Sequence, residues 1–360
     1  MGSTVAAPPS RRPTGRAAAY FLCFVLVGVL STMLGPSLLT LSEMTGSPLR
    51  SLGLLFTVDS FGSVCGSLLA GWLLNRFATH LQAVAGLVGI TALLVVLPLL
   101  TEPVLLLPAW WALGLCKTFL IVTVNTLLIW ERAGRVGPSM NVADFFLGFG
   151  SLVMPVLIAQ SLQGTGQLRW AYWSAAVLSV TLITWMLRML PGPTGSKEEK
   201  PRGGSGGKRV VAAVAAMLFL YVGAELSFSG WLPAYVHDQG VAGSAAEAAY
   251  FASLFWIAVT IGRLLWLPLA ARYPPQRLLL AAFGGCVLSL ALVLAAGAST
   301  PLVVAGTVGF GLAMAPVFPS AFTLLDRKVT VTGRVSAVCL CAASVGAMFF
   351  PPVIGQFVVG

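Results

Sequence analysis

Four charged residues, Asp59, Lys117, Asp144 and Glu225, stand inside long apolar runs of the chain. A charge held away from water is costly unless it is paired or used, so each is a candidate for binding or moving an ion or a solute. Glu225 is the strongest. It lies about fifteen residues into an apolar run of roughly 26, near the middle if that run is a helix rising about 1.5 Å per residue. A carboxyl at that depth suits proton exchange, and it can equally accept from a solute hydroxyl or help hold sodium. The plainer alternative is a protonated side chain bonded to a neighbouring helix.

Asp59 and Lys117 are each the only charge within their runs. On helices of one bundle their opposite charges would offset part of the burial cost, and helical rise puts them at similar depths. A structural ion pair is the expected role. The sharper one is a charge lock that a solute or cation breaks, and Lys117 is also a candidate to bind an anionic solute. Asp144, near the end of its run, is expected to pair with Arg76 or to cap a helix end. Trp231, beside Gly230 and Pro233, offers an indole face to a sugar ring. Membranes also draw Trp to their interfaces, where Trp110, Trp111, Trp170 and Trp173 are expected. Asn125 can bond a solute hydroxyl or a neighbouring helix.

The elements that must position these residues follow from composition. Of 360 residues 58% are hydrophobic and 9% charged, whereas a soluble chain carries about a quarter charged residues. The apolar runs reach the roughly 18 to 20 residues that cross a bilayer. About eleven spans are predicted: 17–41, 51–74, 81–101, 104–130, 138–162 and 168–190, then 210–235, 247–270, 277–298, 301–325 and 334–358. Lipid cannot satisfy an exposed strand edge, so all are read as helices. The net charge of +10 does not imply nucleic acid, because the basic residues sit in short clusters between apolar runs, where orientation signals belong. The six cysteines, Cys23, Cys65, Cys116, Cys286, Cys339 and Cys341, fall within apolar segments without metal spacing. Neither a P-loop nor an HExxH motif is present, and His80 and His237 read as loop residues, so no enzyme, metal or cofactor is expected.

Between the two sets of spans lies PGPTGSKEEKPRGGSGGKR, Pro191 to Arg209, a solvated linker by composition. The expected organisation is a tail, 1–16, a six-helix bundle, 17–190, the linker, 191–209, and a bundle of about five helices, 210–360. Arg76, Arg132, Arg135, Arg188, Arg272, Arg277, Arg327, Lys328 and Arg334 would share one side with the tail and linker, and the opposite side keeps Arg50 and Arg169. That asymmetry predicts a cytoplasmic N-terminus and linker in a cell membrane.

The halves also match at one offset of 196 residues. Gly66, Leu68, Leu69, Leu73 and Arg76 recur as Gly262, Leu264, Leu265, Leu269 and Arg272. Gly150, Pro155, Ile158 and Gln160 recur as Gly346, Pro351, Ile354 and Gln356. Such a repeat implies two bundles rocking about a site at mid-membrane. A counterpart of the sixth span would fall near 364–386, past Gly360, so the expectation is either a fragment or an eleven-span variant.

Gly71-Trp72-Leu73-Leu74-Asn75-Arg76 resembles the loop motif of the major facilitator superfamily, with Asn75 in place of its Asp. LGPSLLTL from Leu34, LLFTVDSFGSVCGSLLAGWL from Leu54, NTLLIW from Asn125, FGSLVMPVL from Phe149, YVGAELSFSGWLPAY from Tyr221 and GFGLAMAPVFPSAFTLL from Gly309 resemble its fucose-permease branch, which includes sodium-dependent glucose transporters. The resemblance implies an all-α membrane fold of two pseudo-symmetric bundles. It also implies alternating-access transport of a small solute, a hexose or deoxyhexose, driven by protons or sodium. Glu225, Asn125, Trp231, Asp59 and Lys117 are then the expected solute or coupling residues. Arg76, Asp144, Gly150, Pro155, Arg263, Gly346 and Pro351 are the expected gating or structural ones. The expected partners are the solute, its coupling ion and the bilayer, with the chain a monomer. A proton-coupled exporter of an amphipathic compound, and a transporter-like protein that does not transport, are the competing expectations.

Overall fold

The structure is a computed structural model that describes residues 14–74, 76–131, 136–189, 207–329 and 333–358. The expectations that fall on Asn75, Arg132, Arg135, residues 1–13 and most of the linker lie outside the described residues. The first half comprises α1 (Thr14–Ser31), α2 (Leu34–Thr45), α3 (Leu49–Leu52), α4 (Leu54–Leu73), α5 (Thr79–Val96), α6 (Pro103–Glu131), α7 (Val136–Thr165) and α8 (Arg169–Arg188). The second comprises α9 (Lys208–Asp238), α10 (Ala245–Arg272), α11 (Pro275–Ala295), α12 (Thr300–Met314), α13 (Val317–Asp326) and α14 (Gly333–Val358). Ten of the described segments are long and apolar enough to cross a membrane, and α1 with α2 forms an eleventh that bends by 45°.

The bend has a covalent cause. Pro36 has no N–H to give the Thr32 carbonyl, and its ring crowds that carbonyl, so the helix stops at Ser31 and restarts at Leu34. The Thr32 hydroxyl then reaches the Ser151 carbonyl of α7 at 2.9 Å, which ties the break to its neighbour. Pro316 interrupts the tenth span in the same way, between α12 and α13.

The helices form two bundles related by a pseudo-twofold. In the first, α1 packs on α7, α4 on α6, and α5 on α6 and α8; in the second, α9 packs on α14, α10 on α12, and α11 on α12. The bundles meet where α7 lies on α10 and where α4 lies on α14, two contacts that exchange under the repeat. Glycines set how closely the helices approach. A methyl group on Gly150 would fall on the Val25 carbonyl of α1, and one on Gly346 would fall on the Phe219 carbonyl of α9. These repeat-related glycines therefore seat α7 and α14 against their partners in the same way. Pro155 and Pro351 lie within the same two helices.

Gly62 and Gly66 of α4 sit against the backbone of Trp111 and Leu115 on α6, and Gly114 of α6 sits against Asp59 on α4. That close crossing packs helices within one bundle, as GxxxG spacing allows.

Candidate functional site

The α4–α6 crossing brings the two lone charges together. Lys117 Nζ donates to Asp59 Oδ2 at 2.8 Å and to Oδ1 at 3.1 Å. The pair is not sealed in the core. It lines a cavity of about 310 Å³ between the bundles, together with Thr32 and Gly35 at the helix break, Trp110, Trp256, and Leu226 and Ser229 of α9. Asp59 and Lys117 are the only charged residues lining it among the described residues. The wall is therefore neutral overall and strongly polar at one point.

The other polar lining groups have a defined sense. The hydroxyls of Ser31, Ser63, Ser229 and Ser344 each donate to a backbone carbonyl. A hydroxyl whose proton is used this way still presents acceptor lone pairs. The Trp110 indole N–H is the converse. Trp110 is 1% exposed, and its Nε1 has no hydrogen-bond partner among the described residues. The cavity thus offers several acceptor oxygens, an ammonium and a carboxylate, between two indoles and aliphatic walls, while the Trp110 N–H stays buried behind its ring.

At the end where α9 finishes, the cavity is closed by contacts between the bundles. Gly35 lies against the backbone of Gly230, and the Phe56 ring lies over Gly230. Thr57 Oγ1 donates to the Met348 carbonyl at 3.0 Å. Two repeat-related glutamines also cross the seam. Gln160 donates to the Tyr250 hydroxyl at 3.0 Å, and Gln356 to the Arg50 carbonyl at 3.5 Å.

The remaining expected residues are placed differently. Trp231 does not face the cavity; its Nε1 donates to the Pro351 carbonyl at 2.7 Å, and its ring packs on Gly53, Gly355 and Phe56 in the closed seam. Trp110, expected at the interface, is instead a buried wall of the cavity, whereas Trp170 is 48% exposed. Glu225 is buried within the second bundle, behind the cavity wall, and accepts from the Tyr221 hydroxyl at 2.9 Å. Asn125 lies farther along α6 and is not part of the lining.

Arg76 stacks on the Trp72 ring at 4.0 Å rather than pairing with Asp144, which lies on another helix against Arg263. His80 is not a loop residue: it begins α5, buried, with Nε2 bonded to the Met186 carbonyl at 2.7 Å. Beyond the lining hydroxyls of Ser31, Thr32, Ser63, Ser229 and Ser344, Tyr221 and Trp256 were not among the expected site residues. Tyr221 stands four residues before Glu225, so it shares its helix face, a spacing visible in the sequence. Trp256 has no such signal, since its role depends on how the bundles meet.

Comparison with known proteins fits this architecture. The sequence profile of the Major Facilitator Superfamily matches residues 20–351. The chain is 24% identical to sodium-dependent glucose transporter 1 of Xenopus laevis over 90% of its own length and 72% of that protein. It is also 24% identical to sodium-dependent glucose transporter 1A of Mus musculus, over 93% and 88%. Among solved structures, a mutant of the nucleoside transporter NupG superposes with a TM-score of 0.76 at 17% identity, covering 95% of this chain and 90% of that one. A bacterial homologue of the human lysosomal transporter Spinster gives 0.73 at 13% identity, covering 96% and 83%.

Proposed function

This chain belongs to the Major Facilitator Superfamily, and from that premise we propose that it is a secondary active transporter of a neutral polyhydroxylated solute, a hexose or deoxyhexose. The solute occupies the cavity between the bundles. The observation that carries the reading is the lining chemistry. One ion pair neutralises itself, so a solute with net charge finds no counter-charge. A neutral polyol finds a partner for each of its groups. Its hydroxyl protons point to Asp59 and the serine oxygens, its oxygens accept from Lys117, and its apolar ring face lies on an indole. A volume of about 310 Å³ sits at the small end of the usual range for ligand sites, about 300 to 1,000 Å³. The names of the two relatives, each a sodium-dependent glucose transporter, support the same solute class.

Transport is by alternating access, driven by protons or sodium, with Glu225 as the coupling carboxyl one layer behind the solute. The tail and linker face the cytoplasm of a cell membrane, and the seam through Gly35, Trp231 and Gln160 is the outer gate. The cavity in this conformation therefore serves the cytoplasmic side.

The test is equilibrium binding of labelled hexoses and deoxyhexoses to the purified chain, with amino acids and organic anions as competitors. Saturable binding of a sugar that charged compounds do not displace, lost in Lys117→Ala, is the expected result. Displacement by an organic anion would overturn the neutral-solute assignment and leave Lys117 as an anion site.

A further inference from the structure

A proline inside a helical span leaves the carbonyl four residues before it without its N–H partner. Within a membrane a carbonyl released in this way needs another donor. Three have found one on a different helix. The Ser151 carbonyl, released by Pro155, accepts from the Thr32 hydroxyl at 2.9 Å. The Leu312 carbonyl, released by Pro316, accepts from Trp266 Nε1 at 2.9 Å. The Met348 carbonyl, released by Pro352, accepts from the Thr57 hydroxyl at 3.0 Å. The same spacing releases the carbonyls of Thr32, before Pro36, of Ser229, before Pro233, and of Ala347, before Pro351. Among the described residues, no side chain and no other helix donates to these three. They share one property: Thr32, Ser229 and Ala347 all line the cavity between the bundles. Two more released carbonyls, at Val104 and Leu264, belong to residues that are 75% and 55% exposed, away from the cavity. The three lining residues also meet beneath the closed seam. Gly35, one turn past Thr32, lies against Gly230, the neighbour of Ser229. The Thr57 bond holds Met348, the neighbour of Ala347, to α4.

We propose that the backbone carbonyls of Thr32, Ser229 and Ala347 are the fixed acceptors that orient the solute's hydroxyls, so that Pro36, Pro233 and Pro351 set which hydroxyls the solute must carry. The inference rests on reading the cavity as the site of a neutral polyol. A backbone carbonyl accepts and cannot donate, so each of the three asks for an O–H from the solute, whereas a serine hydroxyl can serve either sense. A sugar that lacks the matching hydroxyl leaves a released carbonyl buried without a partner, which costs more than the bond is worth when made. One acceptor belongs to the first bundle and two belong to the second. A solute with the right hydroxyls therefore bridges the bundles at the closed end, and one with a hydroxyl missing holds only one side of that bridge.

The experiment is equilibrium binding of glucose, galactose and mannose, and of their monodeoxy analogues, to the purified full chain and to Pro36→Ala, Pro233→Ala and Pro351→Ala. Each substitution gives the carbonyl back an N–H. Each is expected to weaken the bound hexose about fivefold, and to leave one monodeoxy analogue, a different one for each proline, bound as tightly as by the parent. Pro108→Ala and Pro268→Ala, which restore N–H groups away from the cavity, should change the affinity of none. Where an alanine variant does not fold, glycine takes its place, since it also restores the N–H. A loss of equal size for every sugar, or no loss in any of the three variants, overturns the proposal; the first result would mean that these prolines only shape their helices. A loss seen in sodium buffer and absent in potassium buffer would assign the carbonyls to a cation and overturn it too. A parent chain that binds none of the sugars overturns the neutral-polyol reading itself, a failure distinct from uniform loss in the variants.

Discussion

Lys117 holds both oxygens of Asp59, and the pair borders a cavity instead of a sealed core. Removing one partner strands the other in a weakly solvated wall. Lys117→Ala and Asp59→Ala should each destabilise the chain by about 3 kcal/mol, at the low end for a broken buried pair because the cavity gives some hydration. The double variant Asp59→Asn with Lys117→Met should lose less than either, since it leaves no unpaired charge; thermal unfolding midpoints of the four proteins check this. Trp110→Phe keeps a ring and deletes the unpartnered N–H. A buried donor without a partner costs about 1 kcal/mol or more, which offsets the packing lost with the smaller ring, so the unfolding midpoint should hardly move. At this scale the sequence revealed which residues are anomalous but not what each one faces. Asp59 and Lys117 were legible because isolated opposite charges in apolar helices need one another. Glu225 was equally conspicuous, yet its turn toward Tyr221 and away from the cavity depends on the rotation of α9. Trp110 lines the cavity and Trp231 the seam, neither where expected, for the same reason: an indole suits an interface, a seam and a cavity wall alike.

Helices were the most legible feature, because each needs only an apolar run of sufficient length. Their breaks were less so. Pro36 lies inside a run that reads as one span, and the bend it forces at Thr32 places Thr32 and Gly35 at the cavity. The offset of 196 residues had a clear physical meaning once the packing was in view. Gly150 and Gly346 each admit a partner backbone where a side chain cannot fit. Gly150→Ala and Gly346→Ala should therefore cost similar amounts, about 1 to 3 kcal/mol each, by forcing α7 from α1 and α14 from α9. Gly284→Ala on α11 meets nothing within 4 Å and should be neutral or stabilising by up to about 1 kcal/mol, through helix propensity. Urea or thermal unfolding of the three variants separates packing from propensity. A large loss at Gly284 and none at the other two would contradict the packing account.

Across the whole molecule, the bundles are held together at one end by a seam that the repeat made only half visible. Gln160 and Gln356 match at the offset, but the partners they reach, Tyr250 and Arg50, do not correspond in the sequence alignment of the halves. Trp231 is the largest side chain in this seam, 2% exposed and bonded to Pro351. Trp231→Ala should loosen the closed end. Labelling of a cysteine placed at Ser229, in the cavity wall, by an impermeant reagent from that side should then become several-fold faster. Unchanged labelling would mean that the seam is closed by the glycine contacts at Gly35 and Gly230 alone.

The central claim, that a neutral sugar crosses between the bundles at the cost of an ion gradient, is tested most directly by uptake of labelled hexoses and deoxyhexoses into vesicles holding the purified chain. Proton and sodium gradients are imposed in turn, with Glu225→Gln alongside. The predicted result is accumulation above the outside concentration under one of the two gradients, with Glu225→Gln reduced to equilibration or less. Absence of flux for every sugar under both gradients, in protein that still binds sugar or unfolds cooperatively, would contradict it.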